Sequence, residues 1–298
     1  MTQLIATAAP QTSATGRGAR RRPARHHRVG WFTYVVLGAS TLFSLFPIYW
    51  MFVVASNDSS AINNVPPALV PGSNFLENAR QVFDAVPFWR NLANSLVVST
   101  LIAAGQVLFS ALAGFAFAKL RFPGRNALMV LVVATMTVPL QLGVVPQFIL
   151  ITEIGWVNDL RALIVPGLVT AFGVFWMRQA FDNALPDELI DAARIDGARS
   201  LRIFWSIALP SIRPAASVLA LFSFMGAWND FFWPLIVLNS PDTFTVQVAL
   251  RQLQSQAYVT DYGVQMAGIV LATVPLLLIF LLLGKQIVGG IMDGALKS

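Results

Sequence analysis

The sequence predicts an all-α integral membrane protein with six transmembrane helices. Of its 298 residues, 56% are hydrophobic and 11% are charged, against roughly 45–50% and 25% in soluble globular domains. Apolar runs longer than about 18 residues alternate with short polar segments. Runs of that length are typical of transmembrane helices and not of the core of a soluble protein. Lys and Arg crowd the ends of these runs, which is typical of a chain threaded across a membrane.

Six segments are long enough to cross the roughly 30 Å hydrocarbon layer of a bilayer. The first, at 25 residues, is longer than the roughly 7–15-residue apolar core of a cleavable signal peptide, so we expect it to remain as a helix. Several of the segments contain Gly or Pro, which membrane helices tolerate. The approximate bounds of the six are 31–55, 91–118, 127–151, 162–181, 214–238 and 263–284.

Residues 1–30 are predicted to be a basic, disordered tail, and residues 31–298 a single transmembrane domain. The tail is rich in small and polar residues and contains six Arg and no acid. His26 and His27 have no further metal ligands beside them, so we interpret them as solvated residues.

The distribution of Lys and Arg predicts that both termini are cytoplasmic. One side of the membrane receives the tail with six, the 119–126 loop with three, the 178–213 segment with five and the C-terminal end with two. The opposite side has four, at Arg80, Arg90, Arg161 and Arg251. Positive residues favour the cytoplasmic side of a membrane, which places the tail and the C-terminal end there. An even number of helices also returns the chain to the side where it began.

Several classes of function are excluded by missing residues or motifs. The chain has no Cys, which excludes disulfides, zinc–cysteine sites and iron–sulfur clusters. The phosphate-cradling string G-x-x-x-x-G-K-[ST] does not occur, so this chain is not predicted to hydrolyse ATP. No catalytic, cofactor-binding or metal-binding constellation is evident, and we predict that the chain is not an enzyme.

Asp230 is the one ionisable residue deep within a predicted span. A charge at that depth costs roughly 2.5–3.5 kcal/mol, so it should face a cavity, a partner or the interface. Asn229 lies beside it within an aromatic frame that suits a sugar. The candidate pathway residues are Trp228, Asn229, Asp230 and Trp233. An interfacial aromatic belt with a helix-packing polar pair is the alternative, and a single acid is too few for a proton relay.

Residues 185–210 are predicted to form a helix–turn–helix on the cytoplasmic side, between the fourth and fifth spans. Pro186 suits the first helical position, with acids in the first turn. Gly197 can end the first helix in a left-handed cap, and a second short helix can follow from about 200 to 208. The first helix would present one face with small residues for a partner, formed by Leu189, Ala192, Ala193 and Asp196.

This segment resembles a motif of permease subunits in ABC importers, E-A-A-x₃-G-x₉-I-x-L-P. Six of the seven defined positions match, and Asp replaces Glu at the first. The residues at the seven positions are Asp191, Ala192, Ala193, Gly197, Ile207, Leu209 and Pro210. The resemblance extends to the shorter permease of maltose-type carbohydrate importers, on blocks running from about residue 31 onward. Those blocks are RFPGRN at 121–126, FWMRQAF at 175–181, AARIDGA at 192–198, AWNDFFWPL at 227–235 and the final GGIMDGALKS.

The resemblance implies a type I importer fold in the prokaryotic inner membrane. It implies three kinds of partner: a second permease, two ATPase subunits and an extracytoplasmic solute-binding protein. ATP and magnesium would be bound by the ATPase, with no cofactor in this chain. The motif helix, which we call the coupling segment (185–210), would dock in a groove of the ATPase and transmit its closure to the bundle. The alternatives are an ABC permease for a non-sugar solute, or a stand-alone facilitator or channel.

The topology predicts where an introduced cysteine reacts. In this cysteine-free chain, Ser200→Cys should be labelled by an impermeant thiol reagent in inverted membrane vesicles and protected in intact cells, because the coupling segment is cytoplasmic. Cysteines placed in 239–262 serve as the opposite control. Labelling of Ser200→Cys from outside intact cells would overturn the orientation.

Overall fold

The computed structural model describes residues 30–58, 66–255 and 261–295, with side chains described up to residue 281 except at 254 and 255. Within these ranges all regular structure is helical and no strand occurs. The predicted tail, with His26 and His27, lies outside the described residues apart from residue 30, as do the last three residues of the C-terminal block.

Fourteen α-helices are formed by the described residues. The first seven are α1 Trp31–Ala55, α2 Phe75–Ala85, α3 Phe88–Lys119, α4 Arg125–Thr135, α5 Val144–Glu153, α6 Arg161–Gly167 and α7 Ala171–Ala184. The others are α8 Asp187–Ile195, α9 Ser200–Ile203, α10 Leu209–Ser211, α11 Arg213–Asn229, α12 Phe232–Val237, α13 Val246–Ser255 and α14 Tyr262–Ala295. A 3₁₀ turn at Leu140–Gly143 precedes α5, and a π-helical turn at Phe204–Ala208 joins α9 to α10.

The described residues divide into two compact units within α1, the first ending at Pro47 and the second beginning at Ile48. In the first unit, the described part of α1 is an apolar helix in which Thr41 Oγ1 donates a hydrogen bond to the Leu37 carbonyl at 2.8 Å. The second unit contains all the other helices and is described by itself below.

Four helical segments are long and apolar enough to cross a membrane as they stand, and two bent pairs raise the number to six if each pair is one span. The four are Trp31–Ala55, Phe88–Lys119, Arg161–Ala184 and Tyr262–Leu281. The bent pairs are Arg125–Thr135 with Leu140–Glu153, at 95°, and Ser200–Ser211 with Arg213–Asn229, at 81°. The all-helical membrane class is therefore confirmed, with four to six spans by length and composition.

Three predicted spans are interrupted rather than continuous. The predicted 127–151 helix breaks before Pro139, which disfavours helical backbone at the preceding residue. The predicted 162–181 helix is interrupted between α6 and α7, where the Thr170 hydroxyl accepts a hydrogen bond from the Gly173 N–H at 3.1 Å and caps α7. The predicted 214–238 helix ends at Asn229 and resumes as α12. Hydropathy alone does not detect these breaks because the flanking residues remain apolar.

Two helices occur where the sequence analysis expected only loops. α2 lies within 56–90 and packs on α14, and α13 lies within 239–262 and packs on α3 and α14. Both are amphipathic, with buried Ala79, Val82, Val248 and Ala249. A search for long apolar runs passes over such helices because their polar residues interrupt the run.

α3 is the central helix of the second unit, and α7 and α11 both pack along it. A Cβ atom added to Gly114 would lie 2.7 Å from the Arg178 backbone nitrogen, so the α3 and α7 backbones touch there. Gln106 Oε1 accepts hydrogen bonds from the Thr170 hydroxyl at 3.1 Å and the Ser223 hydroxyl at 3.0 Å. One amide therefore links α3 to the cap of α7 and to α11, as polar side chains do between membrane helices.

The first turns of α3 hold the loop between α12 and α13. The Asn91 amide donates to the carbonyls of Pro241 at 2.7 Å and Phe244 at 3.1 Å. The Ser95 hydroxyl accepts from the Val246 N–H at 2.8 Å. From the other side Asn158, at a left-handed φ of 65°, accepts from the Thr243 hydroxyl at 2.6 Å.

The close approach of α3 and α7 predicts a strong effect of size at residue 114. Gly114→Leu should lower the apparent melting temperature of the purified protein by several degrees, because backbone atoms of α7 cannot yield to the new side chain and overpacking costs about 1–3 kcal/mol.

Gly226→Leu is the matched control, since a Cβ there meets nothing within 4 Å. It should leave the melting temperature within about a degree, and equal melting of the two variants would contradict the packing argued for α3 and α7.

Candidate functional site

The coupling segment folds as two short helices joined by a turn. α8 begins at Asp187, one residue later than predicted, with Asp187 and Glu188 in its first turn. Acids at this end are favoured by the partial positive charge of the unpaired N–H groups. The predicted helix–turn–helix is therefore present in the structure.

Gly197 ends α8 in the left-handed conformation, with φ of 79°. The Gly197 N–H donates to the Arg194 carbonyl at 3.0 Å, and the Ala198 N–H donates to the Ala193 carbonyl at 2.9 Å. This pair of bonds is the Schellman arrangement, which satisfies the last carbonyls of a helix. A Cβ on Gly197 would meet no atom within 4 Å, so the preference for Gly arises from its φ angle and not from crowding.

The second half of the segment contains the π-helical turn. α9 runs from Ser200 to Ile203, and the π turn continues from Phe204 to Ala208, close to the predicted end near residue 208. The motif residues Ile207, Leu209 and Pro210 are half-buried. Ile207 and Leu209 pack against the cluster beneath α8, so these two residues anchor the segment to its own bundle.

The inner face of α8 packs on that cluster. Ile190 and Ala193 are buried, Ala193 with 8% of its surface exposed. Beneath them the Phe115 ring lies 5.6 Å from those of both Phe181 and Phe204, between ring centroids. The predicted partner face is therefore corrected at one position: Ala193 faces its own bundle, because the helical repeat carries it to the side of Ile190.

One ion pair holds the start of α8 to the end of α3. Lys119 Nζ donates to Asp187 Oδ1 at 2.7 Å, and the Lys119 side chain is only 7% exposed. The hydrogen bond from Lys119 lowers the pKa of Asp187 below its usual value. The contact is therefore kept at neutral pH and weakens as the pH falls through that lowered pKa.

The outer face of α8 and α9 is exposed and carries large apolar side chains. Leu189, Ala192 and Asp196 face outward as predicted, and so does Asp191. Ile195 is 87% exposed and Leu201 67%. The sequence did not single out these two residues. Once Ile190 is known to be buried, the helical repeat places Ile195, five residues later, on the outer side of α8. Leu201 lies beyond the turn at Gly197, so no helical spacing relates it to Ile190.

Asp230 lies at the end of α11 and not within a helix. Its carboxylate lies beside the backbone N–H groups of Trp233 and Phe232 at the start of α12. The Asn229 amide donates to the Met225 carbonyl at 2.8 Å. The expectation of a charge deep inside a continuous span is therefore corrected, since the helix ends before Asp230 and the break leaves backbone N–H groups beside the acid.

The two candidate Trp residues are held within the protein. Trp228 is 1% exposed and stacks on Phe224, with ring centroids 5.7 Å apart. Trp233 is half-buried and donates its indole N–H to the Ala162 carbonyl at 3.0 Å. Trp228 thus does not line a surface of this chain. Asn229, which is exposed, and Asp230, which is half-buried, remain available to a solute.

A single helix connects the two candidate sites. The coupling segment leads through α10 into the start of α11 at Arg213, and Asn229 is its last residue. With 17 residues, α11 is about 26 Å long at 1.5 Å per residue. No cluster of potential metal ligands occurs in the described ranges.

Comparison with known proteins gives matches over most of the chain. Residues 106–291 match the family described as "Binding-protein-dependent transport system inner membrane component". The sn-glycerol-3-phosphate transport system permease protein UgpE of Escherichia coli (strain K12) is 31% identical over 268 residues, covering 88% of this chain and 94% of UgpE. The arabinooligosaccharides transport system permease protein AraQ of Halalkalibacterium halodurans is 31% identical over 273 residues, covering 91% and 97%.

The fold also matches a solved structure. A chain from the crystal structure of a bacterial ABC transporter involved in the import of the acidic polysaccharide alginate superposes with a TM-score of 0.75. The identity is 22%, and the match covers 86% of this chain and 95% of the other. With its ordered coupling segment, its apolar helices and these matches, the chain belongs to the family of inner membrane components of binding-protein-dependent transport systems.

Proposed function

We propose that this chain is one of two permease subunits of an ATP-driven importer for a sugar or oligosaccharide, and that its coupling segment docks on the ATPase. The observation that supports the proposal is that one face of α8 is buried against the helical bundle and the other is exposed. This helix is fixed to the bundle through Ile190 and through the ion pair of Asp187 with Lys119 of α3, whereas Leu189, Ile195 and Leu201 are exposed in the part of the chain that the structure describes. Such an exposed apolar patch is typical of a docking surface.

The proposed complex contains a second permease, two ATPase subunits that bind ATP and magnesium, and an extracytoplasmic binding protein. Both termini and the coupling segment are proposed to be cytoplasmic. This chain would not itself be catalytic. A closing ATPase would push on α8, and the push would pass through the Phe115, Phe181 and Phe204 cluster into the helices packed on α3. ATP must favour one state of the bundle by differential binding for this to drive transport.

Two observations bear on the solute. AraQ is named for arabinooligosaccharides, which favours a neutral carbohydrate. UgpE is named for sn-glycerol-3-phosphate, so a permease for a phosphorylated polyol is the second candidate. The carboxylate of Asp230 favours the neutral solute, because a fixed negative charge beside the path repels an anion. A stand-alone facilitator or channel does not fit a family defined by dependence on a binding protein.

The solute is tested on the purified complex with its binding protein. Mass spectrometry of solute released from the binding protein identifies the candidate, and ATP-dependent uptake of that compound into proteoliposomes tests it. Uptake of a neutral sugar supports the proposal. ATP-dependent uptake of a phosphorylated polyol in place of a sugar would assign the second candidate.

Docking on the ATPase predicts different effects at neighbouring alanines. Ala192→Trp places a bulky ring on the outer face, so it should leave abundance and melting temperature unchanged while reducing binding-protein-stimulated ATP hydrolysis by tenfold or more. Ala193→Trp, on the inner face, should instead lower the melting temperature, because the ring has no room against the bundle.

The matched measurement is ATPase activity of purified complexes with and without loaded binding protein. Ala127→Trp, an exposed residue outside the coupling segment, is the surface control and should be stimulated as the unmodified complex is. Full stimulation of the Ala192→Trp complex would mean that coupling runs elsewhere.

The helix break at Asp230 predicts separate effects for charge and for hydrogen bonding. Asp230→Asn keeps an oxygen beside the two backbone N–H groups, so stability should hold while solute uptake falls severalfold if the charge faces the path. Asp230→Leu removes that oxygen and should also cost about 1–3 kcal/mol of stability, because the N–H groups then face an apolar side chain. Asp242→Asn removes an exposed acid and serves as the control. Unchanged uptake by the Asp230→Asn complex would make Asp230 a purely structural residue.

A further inference from the structure

An apolar groove of about 490 Å³ opens between α3, α11 and α14. Its walls include Ala104 and Leu108 of α3, Leu221 and Phe224 of α11, and Ile279 of α14. Thr100 and the Trp205 indole supply the only polar side-chain atoms among its lining residues. The volume lies within the roughly 300–1,000 Å³ of ligand sites, yet the wall has almost no group that could orient a polar solute.

One end of the groove is formed by the coupling segment. Trp205 and Leu209 close it there, and the Trp205 side chain is exposed. A Trp at such a position is typical of the boundary between hydrocarbon and head groups. The groove therefore extends from this boundary along the apolar part of the bundle.

Positive charge collects at that same end. Arg213 opens α11 seven residues before Ala220, which lines the groove. Seven residues are about two helical turns, so Arg213 lies on the same face of α11, about 11 Å towards the boundary. Arg202 precedes Trp205 by three residues and shares its side of the second short helix. Both Arg side chains are exposed, and neither forms an ion pair with a described residue.

No negative charge offsets these arginines along the chain. Between Asp196 and Asp230 there is no Asp or Glu, although Arg199, Arg202 and Arg213 all fall in that interval. An apolar groove that ends at an interfacial Trp and two unpaired Arg residues complements a molecule with an acyl chain and an anionic head. Basic pockets between membrane helices bind anionic lipid head groups in this way.

We propose that this groove binds one anionic phospholipid, with an acyl chain along α3 and α11 and its phosphate at Arg202 and Arg213. The site adjoins the π-helical turn through Trp205, so a bound lipid would support the junction between the coupling segment and α11. The proposal does not depend on which solute is transported.

The test uses the purified complex in phosphatidylcholine nanodiscs with a photoactivatable phosphatidylglycerol that carries the reactive group in its acyl chain. Cross-links mapped by mass spectrometry should fall on peptides containing 100–108 and 220–224, and unlabelled phosphatidylglycerol should compete better than phosphatidylcholine. Removing both charges by Arg202→Gln and Arg213→Gln should weaken that competition about 25-fold, at about fivefold for each Arg.

A second pair of variants tests the groove itself. Ala104→Phe fills it and should abolish the cross-links, whereas Val97→Phe, two turns away on the same face of α3 and outside the lining, should leave them unchanged. Equal competition by the two lipids, or cross-links insensitive to the Arg changes, would overturn the proposal. So would cross-links of the lipid probe to the second permease in place of the 100–108 and 220–224 peptides, because the groove would then be covered by protein.

Discussion

The close contact of α3 with α7 and α11 is the constraint on which the second unit depends. It requires small residues on α3, which the chain supplies at Ser99, Ser110 and Gly114, together with the buried amide of Gln106. In a membrane, lipid tails are as apolar as Leu, so helices associate through close packing and a few internal hydrogen bonds. Gln106 supplies two of these bonds, and they lie where α6 and α7 are interrupted.

The packing of α3 with α7 also determines where the coupling segment lies. Phe115, Lys119 and Phe181, near the ends of α3 and α7, form the surface that receives α8, so its inner face is fixed by residues far away in sequence. The coupling segment is thus packed on α3 and α7 and is not a free loop between two helices. A force applied to α8 would reach α11 through the π-helical turn, and α11 ends beside Asp230.

The sequence predicted the membrane class, the turn at Gly197 and the short helices around it because these follow from local rules: run length, φ preference and first-turn acids. It did not predict the breaks at Pro139, Thr170 and Asp230, since hydropathy averages across them. It assigned Ala193 to a partner face because spacing alone does not say which side of an amphipathic helix its own bundle covers. Ile195 was not identified for the same reason, and Leu201 was not identified because it lies beyond the turn at Gly197, where the repeat of α8 no longer applies.

The π-helical turn from Phe204 to Ala208 sets the rotational phase between two parts of the chain. A π turn holds one residue more than the ordinary repeat accommodates. Deleting that residue would restore α-helical bonding, yet everything beyond it would rotate by about 100° and shift by about 1.5 Å along the axis. Trp205 and Leu209 would then contact different neighbours, and another side of α11 would pack on α3. The number of residues in the π-helical turn, more than their identity, therefore fixes the orientation of α11 relative to α8 about the helix axis.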